Sequence, residues 1–252
     1  MRVSPETESF GPQCLSASDL RSLLRPDALA AAVYGSSARG DYRDDSDLDV
    51  LELVSNSPGS RSVGIVNISS YVPDHIQLLA RRGSLFVRHL QDEAIILFDR
   101  EDHLAQLLRE YVAPDSYDPL IRESQAILHA IETESDVELR HLATGAAVFA
   151  VRTMLYANLA ERGVADFNVE RALDALQLRA YLPVFRLLQD EPDEAIKLAR
   201  TLRFEGWDFP VRGIEAMAIF GSETLPIASR ILTRILAGDA HIPYTELTLP
   251  LP

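Results

Sequence analysis

The sequence predicts an α+β fold, a small domain of strands and helices at residues 1–112 followed by an all-α helical bundle domain at 113–252, and three observations carry that prediction. The first half alternates short apolar runs with turn residues, whereas the second half shows long helical periodicity and almost no strand signal. Pro114 and Pro119 punctuate the stretch between them, as a linker between helices would be punctuated. Hydrophobic residues make up 47% and charged residues 25% of 252 positions, enough apolar surface for one large core or two modest ones and too much for general disorder.

Strands are expected at 28–34, 48–54, 63–69 and 94–98, separated by Gly, Ser, Asp and Pro-rich connections such as SNSPGSR. Helices fit between them: DLRSLLR with Ser18 as its N-cap, a second from Pro73 to just before Gly83, and a third over 84–91. Leu104, Leu107, Leu108 and Tyr111 then recur at helical spacing. Beyond the linker, helices are expected at 120–133, 137–162, 169–178, 184–189, 194–203 and 213–236.

Composition excludes several functions. The single cysteine, Cys14, can form neither an intrachain disulfide nor a cysteine zinc site, which fits a reducing cytoplasm. The N-terminus has no apolar core of the signal-peptide kind, and the most apolar long stretch, 142–160, carries Arg152, so neither export nor a membrane span is expected. With a net charge of -14 and no long basic run, the chain is not expected to grip duplex nucleic acid. The adjacent Arg81 and Arg82 read as a solvated helix end.

The segment that carries chemistry is AAAVYGSSARGDYRDDSDLDVLELV, residues 30–54. An apolar strand runs into Gly35 and Ser36, and a short helix is expected from Ser37. Glycine admits the backbone conformation and the close approach that a phosphate needs, and the first amides of a helix point at the same spot. Asp47 and Asp49 stand two apart on a strand, so both side chains leave one face while Leu48 and Val50 face the core. Two carboxylates so placed repel each other unless a divalent cation lies between them. Arg39, one turn beyond Gly35, has two partners open to it: a triphosphate oxygen, or a salt bridge to Asp41 or Asp44. Asp41, Asp44 and Asp45 read as a solvated acidic loop.

The order apolar strand, Gly-Ser, short helix, acidic loop and SDLDV resembles the nucleotidyltransferase signature of the DNA polymerase β superfamily. GSSARG followed by SDLDV is most similar to its minimal nucleotidyltransferase branch. The resemblance, over roughly residues 20–100, implies a small mixed-sheet domain flanked by helices, with a nucleoside triphosphate such as ATP bound at Gly35 and Ser36. It also implies that Asp47 and Asp49 hold Mg²⁺ or Mn²⁺ as the catalytic carboxylates. The implied reaction moves a nucleoside monophosphate from an NTP or dNTP to an acceptor hydroxyl and releases pyrophosphate. The acceptor classes left open are a small molecule, a protein, and the end of a short oligonucleotide; a homo-oligomer or a partner protein is also left open.

The sequence departs from the pattern at one place. Active members add a third carboxylate from the neighbouring strand, and here Asn67 and Ser69 occupy the corresponding positions, with no acid between Glu52 and Asp74. Glu52 has the wrong parity. The base could come from Glu93, Asp99 or the helical half, the site could work with one metal, or it could bind nucleotide without turning it over. That last reading makes the chain an antitoxin or regulatory module. A nucleotidyltransferase head with a helical second half is similar to the plan of aminoglycoside nucleotidyltransferases and to paired proteins of bacterial toxin-antitoxin and antiviral defence systems. Helical toxins of those systems use an Arg and a His several residues apart to cut RNA. Arg122 and His129 have that spacing, although a surface arginine and a satisfied histidine explain it better. Trp207 reads as a loop anchor.

Overall fold

The structure, a computed structural model, describes residues 2–3, 8–44, 46–186, 192–203 and 205–239. The chain divides into two compact units, Met1–Pro114 and Asp115–Pro252.

The first unit is built on β1 (Arg2–Val3), β2 (Ser9–Phe10), β3 (Leu15–Ser16), β4 (Ala30–Tyr34), β5 (Leu48–Leu53), β6 (Gly59–Val63), β7 (Val66–Tyr71) and β8 (Ile95–Asp99). Six strands form one sheet in the order β1-β8-β4-β5-β7-β6, while β2 and β3 pair separately. The sheet is mixed: β4 is antiparallel to β5 and β8, and β5 is parallel to β7. Around it lie α1 (Ala17–Leu23), α2 (Ser36–Arg39), α3 (Pro73–Arg81), α4 (Leu85–Glu93) and α5 (His103–Arg109).

Two local expectations are corrected. The run expected as one strand over 63–69 is a hairpin, with β6 and β7 joined through Gly64 at φ +60. The Gly-Ser-Arg end of SNSPGSR therefore belongs to an edge strand. Its polar residues carry no alternation, and pairing with β7 supplies what propensity does not. Ser16, not Ser18, caps α1. Ser16 Oγ accepts from the Asp19 amide at 3.1 Å and the Asp19 carboxylate accepts from the Ser16 amide at 2.9 Å, a reciprocal box that leaves Ser18 inside the helix.

Alternation along β5 sorts the faces. Leu48 and Val50 are fully buried with Phe10, Ala17, Leu20, Val33, Val66 and Ile68 beneath α1. Asp49 lies on the other face, where Tyr34 and Tyr71 each meet Phe86 of α4 at a ring separation of 5.6 Å. Glu52 shares the Leu48 face and is fully buried. Ser70 Oγ donates to it at 2.6 Å, Arg61 Nη1 of the edge strand donates at 2.9 Å, and the Arg25 amide donates as well. Burial pushes the Glu52 carboxyl up, but Arg61, Ser70 and the Arg25 amide outweigh it and hold the carboxyl below its ordinary value.

The second unit is helical: α6 (Asp118–Glu132), α7 (Val137–Leu142), α8 (Thr144–Glu161), α9 (Val169–Ala175), α10 (Leu182–Arg186), α11 (Pro192–Leu202), α12 (Ile214–Thr224) and α13 (Pro226–Leu236). α8 is the central helix, buried nearly all round, and it packs on α6 and α11. The helix expected over 137–162 breaks at Ala143. The one expected over 213–236 breaks at Leu225, because Pro226 has no amide to continue the ladder and starts a new helix. Residues 187–189 of the helix expected over 184–189 lie outside the described residues. Glu123 of α6 closes the start of α13 by accepting from the Ile227 and Ala228 amides at 3.3 and 2.8 Å. Among the described residues, no helix is long and apolar enough to cross a membrane.

Candidate active site

Strand β4 is buried along its whole length and delivers the chain to Gly35 at φ 73, ψ -153. That combination is open essentially to glycine alone. It lets α2 begin at once, at Ser36 rather than the expected Ser37. The first bonds of the turn run from the Ala38 and Arg39 amides to the Gly35 carbonyl, 3.1 Å each, so the Ser36 and Ser37 amides precede that ladder.

Asp49 sits in register with Tyr34 on one side and Asn67 on the other. Its carboxylate reaches the Gly35 turn: a Cβ placed on Gly35 would lie 3.2 Å from Asp49 Oδ2. Asp47 is exposed just before β5, with the fully buried Leu48 between it and Asp49. A turn in which the Ser46 amide donates to the Arg43 carbonyl at 3.0 Å brings the acidic loop back to the strand.

Arg39 takes the salt-bridge option. Its Nε donates to Asp41 at 2.9 Å and its Nη1 to Glu93 at 2.6 Å, and its side chain is 13% exposed. His89, one turn before Glu93 on α4, contacts the same Glu93 oxygen through Nε2 at 2.8 Å. Burial pushes the Glu93 carboxyl up, yet the hydrogen bonds and charges of His89 and Arg39 prevail and hold it below its ordinary value. Asp41 is thus an ion-pair member rather than part of a solvated loop, while Asp44 is exposed and Asp45 lies outside the described residues. His89 belongs to this cluster, although beside Arg88 in the sequence it supports no constellation because adjacent residues do not share a helix face; the i, i+4 spacing of His89 and Glu93 was the available signal.

Asp99, the other carboxylate named as a base, is committed. Asp99 accepts from the Leu104 and Ala105 amides at 3.0 and 2.9 Å and so caps α5. Asn67 and Ser69 of β7 carry no acid, and Asn67 Oδ1 accepts from Ser62 Oγ at 2.8 Å. Among the described residues, no group of three or more His, Cys, Asp or Glu is arranged to hold a metal ion. The Asp49 carboxylate beside the glycine turn is an oxygen donor of the kind Mg²⁺ takes, since that ion commonly binds one or two carboxylates and completes its shell with substrate phosphates and water.

In the second unit, Arg122 and His129 share a helix face and grip a loop. Arg122 donates to the Gly206 and Asp208 carbonyls and stacks 4.0 Å from the centre of the Phe209 ring, and His129 Nε2 donates to the Val211 carbonyl at 2.9 Å. Trp207 is buried and donates Nε1–H to the Arg203 carbonyl at 2.7 Å. All three side chains are spent on holding residues 206–211 to α6 and α11.

Residues 17–106 match the family model of the nucleotidyltransferase domain. A solved structure, a nucleotidyltransferase-like protein from Exiguobacterium sibiricum, is 16% identical, with 82% of this chain and 75% of that chain covered at a TM-score of 0.30, a likeness too distant to carry an argument. No curated protein matches the chain.

Proposed function

From the premise that residues 17–106 form a nucleotidyltransferase domain, we propose that the chain transfers a nucleoside monophosphate from a nucleoside triphosphate to an acceptor hydroxyl, with Asp47 and Asp49 as the metal-holding carboxylates. The observation that carries the proposal is the closeness of the Asp49 carboxylate to the Gly35 turn, where even a Cβ would stand 3.2 Å from Oδ2, with Asp47 exposed two residues before it. Gly35 has no side chain to fill the space between turn and carboxylate, and the Ser36 and Ser37 amides head the turn that would orient phosphate oxygens. Asp47 and Asp49 would hold Mg²⁺ or Mn²⁺, which would offset triphosphate charge and stabilise the departing pyrophosphate. Leu48, fully buried between the two residues in sequence, anchors the start of β5 to the core.

The acceptor hydroxyl belongs to a small molecule, a protein or a short oligonucleotide end, because a chain of net charge -14 repels a duplex. A protein acceptor would suit a toxin-antitoxin or defence role. A second reading, nucleotide binding with little turnover, is favoured by Asn67 standing in register beside Asp49 where a third acid would serve. Pyrophosphate release from each NTP and dNTP with Mg²⁺ or Mn²⁺, beside thermal shifts with MnATP, separates the two. Asp47→Ala and Asp49→Ala should abolish the metal-dependent shift and keep the fold. An unchanged shift in Asp49→Ala would remove the assignment.

A further inference from the structure

We propose that Arg39, Glu93 and His89 form a lock that sets the nucleotide turn from behind, so that Arg39 is a positioning residue and not a nucleotide ligand. The inference rests on the site reading given above and adds to it. α2 is a single turn of four residues, too short to hold its own orientation. Its last residue, Arg39, is fastened at both ends of the guanidinium: Nε to Asp41 two residues on, Nη1 to Glu93 fifty-four residues away on α4. Glu93 is in turn fastened by His89, and the His89 ring stands edge-on to Tyr34 at 5.9 Å and 87°. Tyr34 is the residue immediately before Gly35 and lies opposite Asp49. One helix therefore braces both flanks of Gly35, the strand through His89 and Tyr34, and the turn through Glu93 and Arg39. His89 is 4% exposed and the Glu93 side chain 10%, so ligand-facing work by either is disfavoured, while short, buried, charge-assisted bonds of this kind resist rotation.

The test measures MnATP affinity, pyrophosphate-release kcat and KM, and melting temperature for Glu93→Gln, Arg39→Met and the double variant. Glu110→Gln serves as a control, because it loosens an ion pair between α3 and the end of α5 in the same unit. The lock predicts that Glu93→Gln and Arg39→Met each weaken MnATP binding roughly 10- to 100-fold, the scale of one lost charge-assisted hydrogen bond. It also predicts that the double variant is no worse than either single one and that Glu110→Gln melts earlier without losing affinity. An Arg39 that grips the triphosphate would instead weaken binding alone, with Glu93→Gln at wild-type affinity, and that outcome overturns the proposal. A drop in kcat for Glu93→Gln at unchanged affinity would make Glu93 the base and overturns it equally. Asp49→Ala in the same assay separates the two levels: binding retained there removes the site, and binding lost there while Glu93→Gln binds normally removes the lock alone.

Discussion

Replacing Gly35 with alanine tests the turn on which the site reading depends. At φ 73 and ψ -153 the backbone occupies a region essentially reserved for glycine, and holding an L-residue there costs about 1–3 kcal/mol. The new Cβ would also stand 3.2 Å from Asp49 Oδ2, tighter than ordinary contact, so the carboxylate has to give way by a few tenths of an ångström. For a unit of this size one kcal/mol corresponds to roughly 4 °C in melting temperature, which predicts a fall of roughly 4–12 °C. Gly40→Ala is the matched control. It also has positive φ, at +76, but in the ordinary left-handed region with nothing within 4 Å of the new Cβ, so its cost stays near the ~1 kcal/mol of that conformation. Circular dichroism melts give the first quantity, and calorimetric titration with MnATP gives the second. Gly35→Ala should lose stability and nucleotide affinity together, whereas Gly40→Ala loses a little stability and no affinity. A Gly35→Ala protein that melts with wild type and binds MnATP equally well would refute both the strain and the proximity argument.

Three further perturbations probe the fold that carries the site. Burial pushes the Glu123 carboxyl up to about 7, above its value in an unfolded chain, so the helical unit is most stable below the unfolded pKa of about 4.3 and loses up to about 3 kcal/mol as pH rises through 7. Urea unfolding followed by Trp207 fluorescence should show this loss between pH 5 and pH 8 in the wild type and not in Glu123→Gln; parallel pH profiles would refute it. Arg61→Ala leaves the fully buried Glu52 without its cationic partner, and should cost about 3–5 kcal/mol in a thermal melt, part of it recovered by adding Glu52→Gln. Arg122→Ala should loosen the loop over residues 206–209, red-shift Trp207 emission and cost about 1–2 kcal/mol. RNA cleavage that depended on Arg122 would contradict its structural role.

The sequence by itself determined the division into a strand-bearing half and a helical half, because periods of two and of 3.6 residues are local properties. It also determined the central motif. Gly35, Asp47, Leu48 and Asp49 are near neighbours in the chain, and strand alternation alone orders their faces. Only the tertiary structure decided which carboxylates Arg39 pairs with, since sequence spacing does not choose among those within its reach. Glu93 is fifty-four residues away and became the partner because α4 packs against Tyr34. The same holds for β6, whose polar Gly-Ser-Arg start has no strand pattern and is a strand because β7 offers it a free edge and Glu52 offers Arg61 a buried charge. Pro226 was legible as a helix break and went unused, since the apolar periodicity on both sides of it outweighed a single residue. Arg122 and His129 had the spacing of a catalytic pair, and packing alone gave them to the 206–211 loop. Patterns set by the backbone's own geometry were readable in advance. Choices among equally suitable charged partners were not, because they depend on which distant surface the fold brings within hydrogen-bond reach.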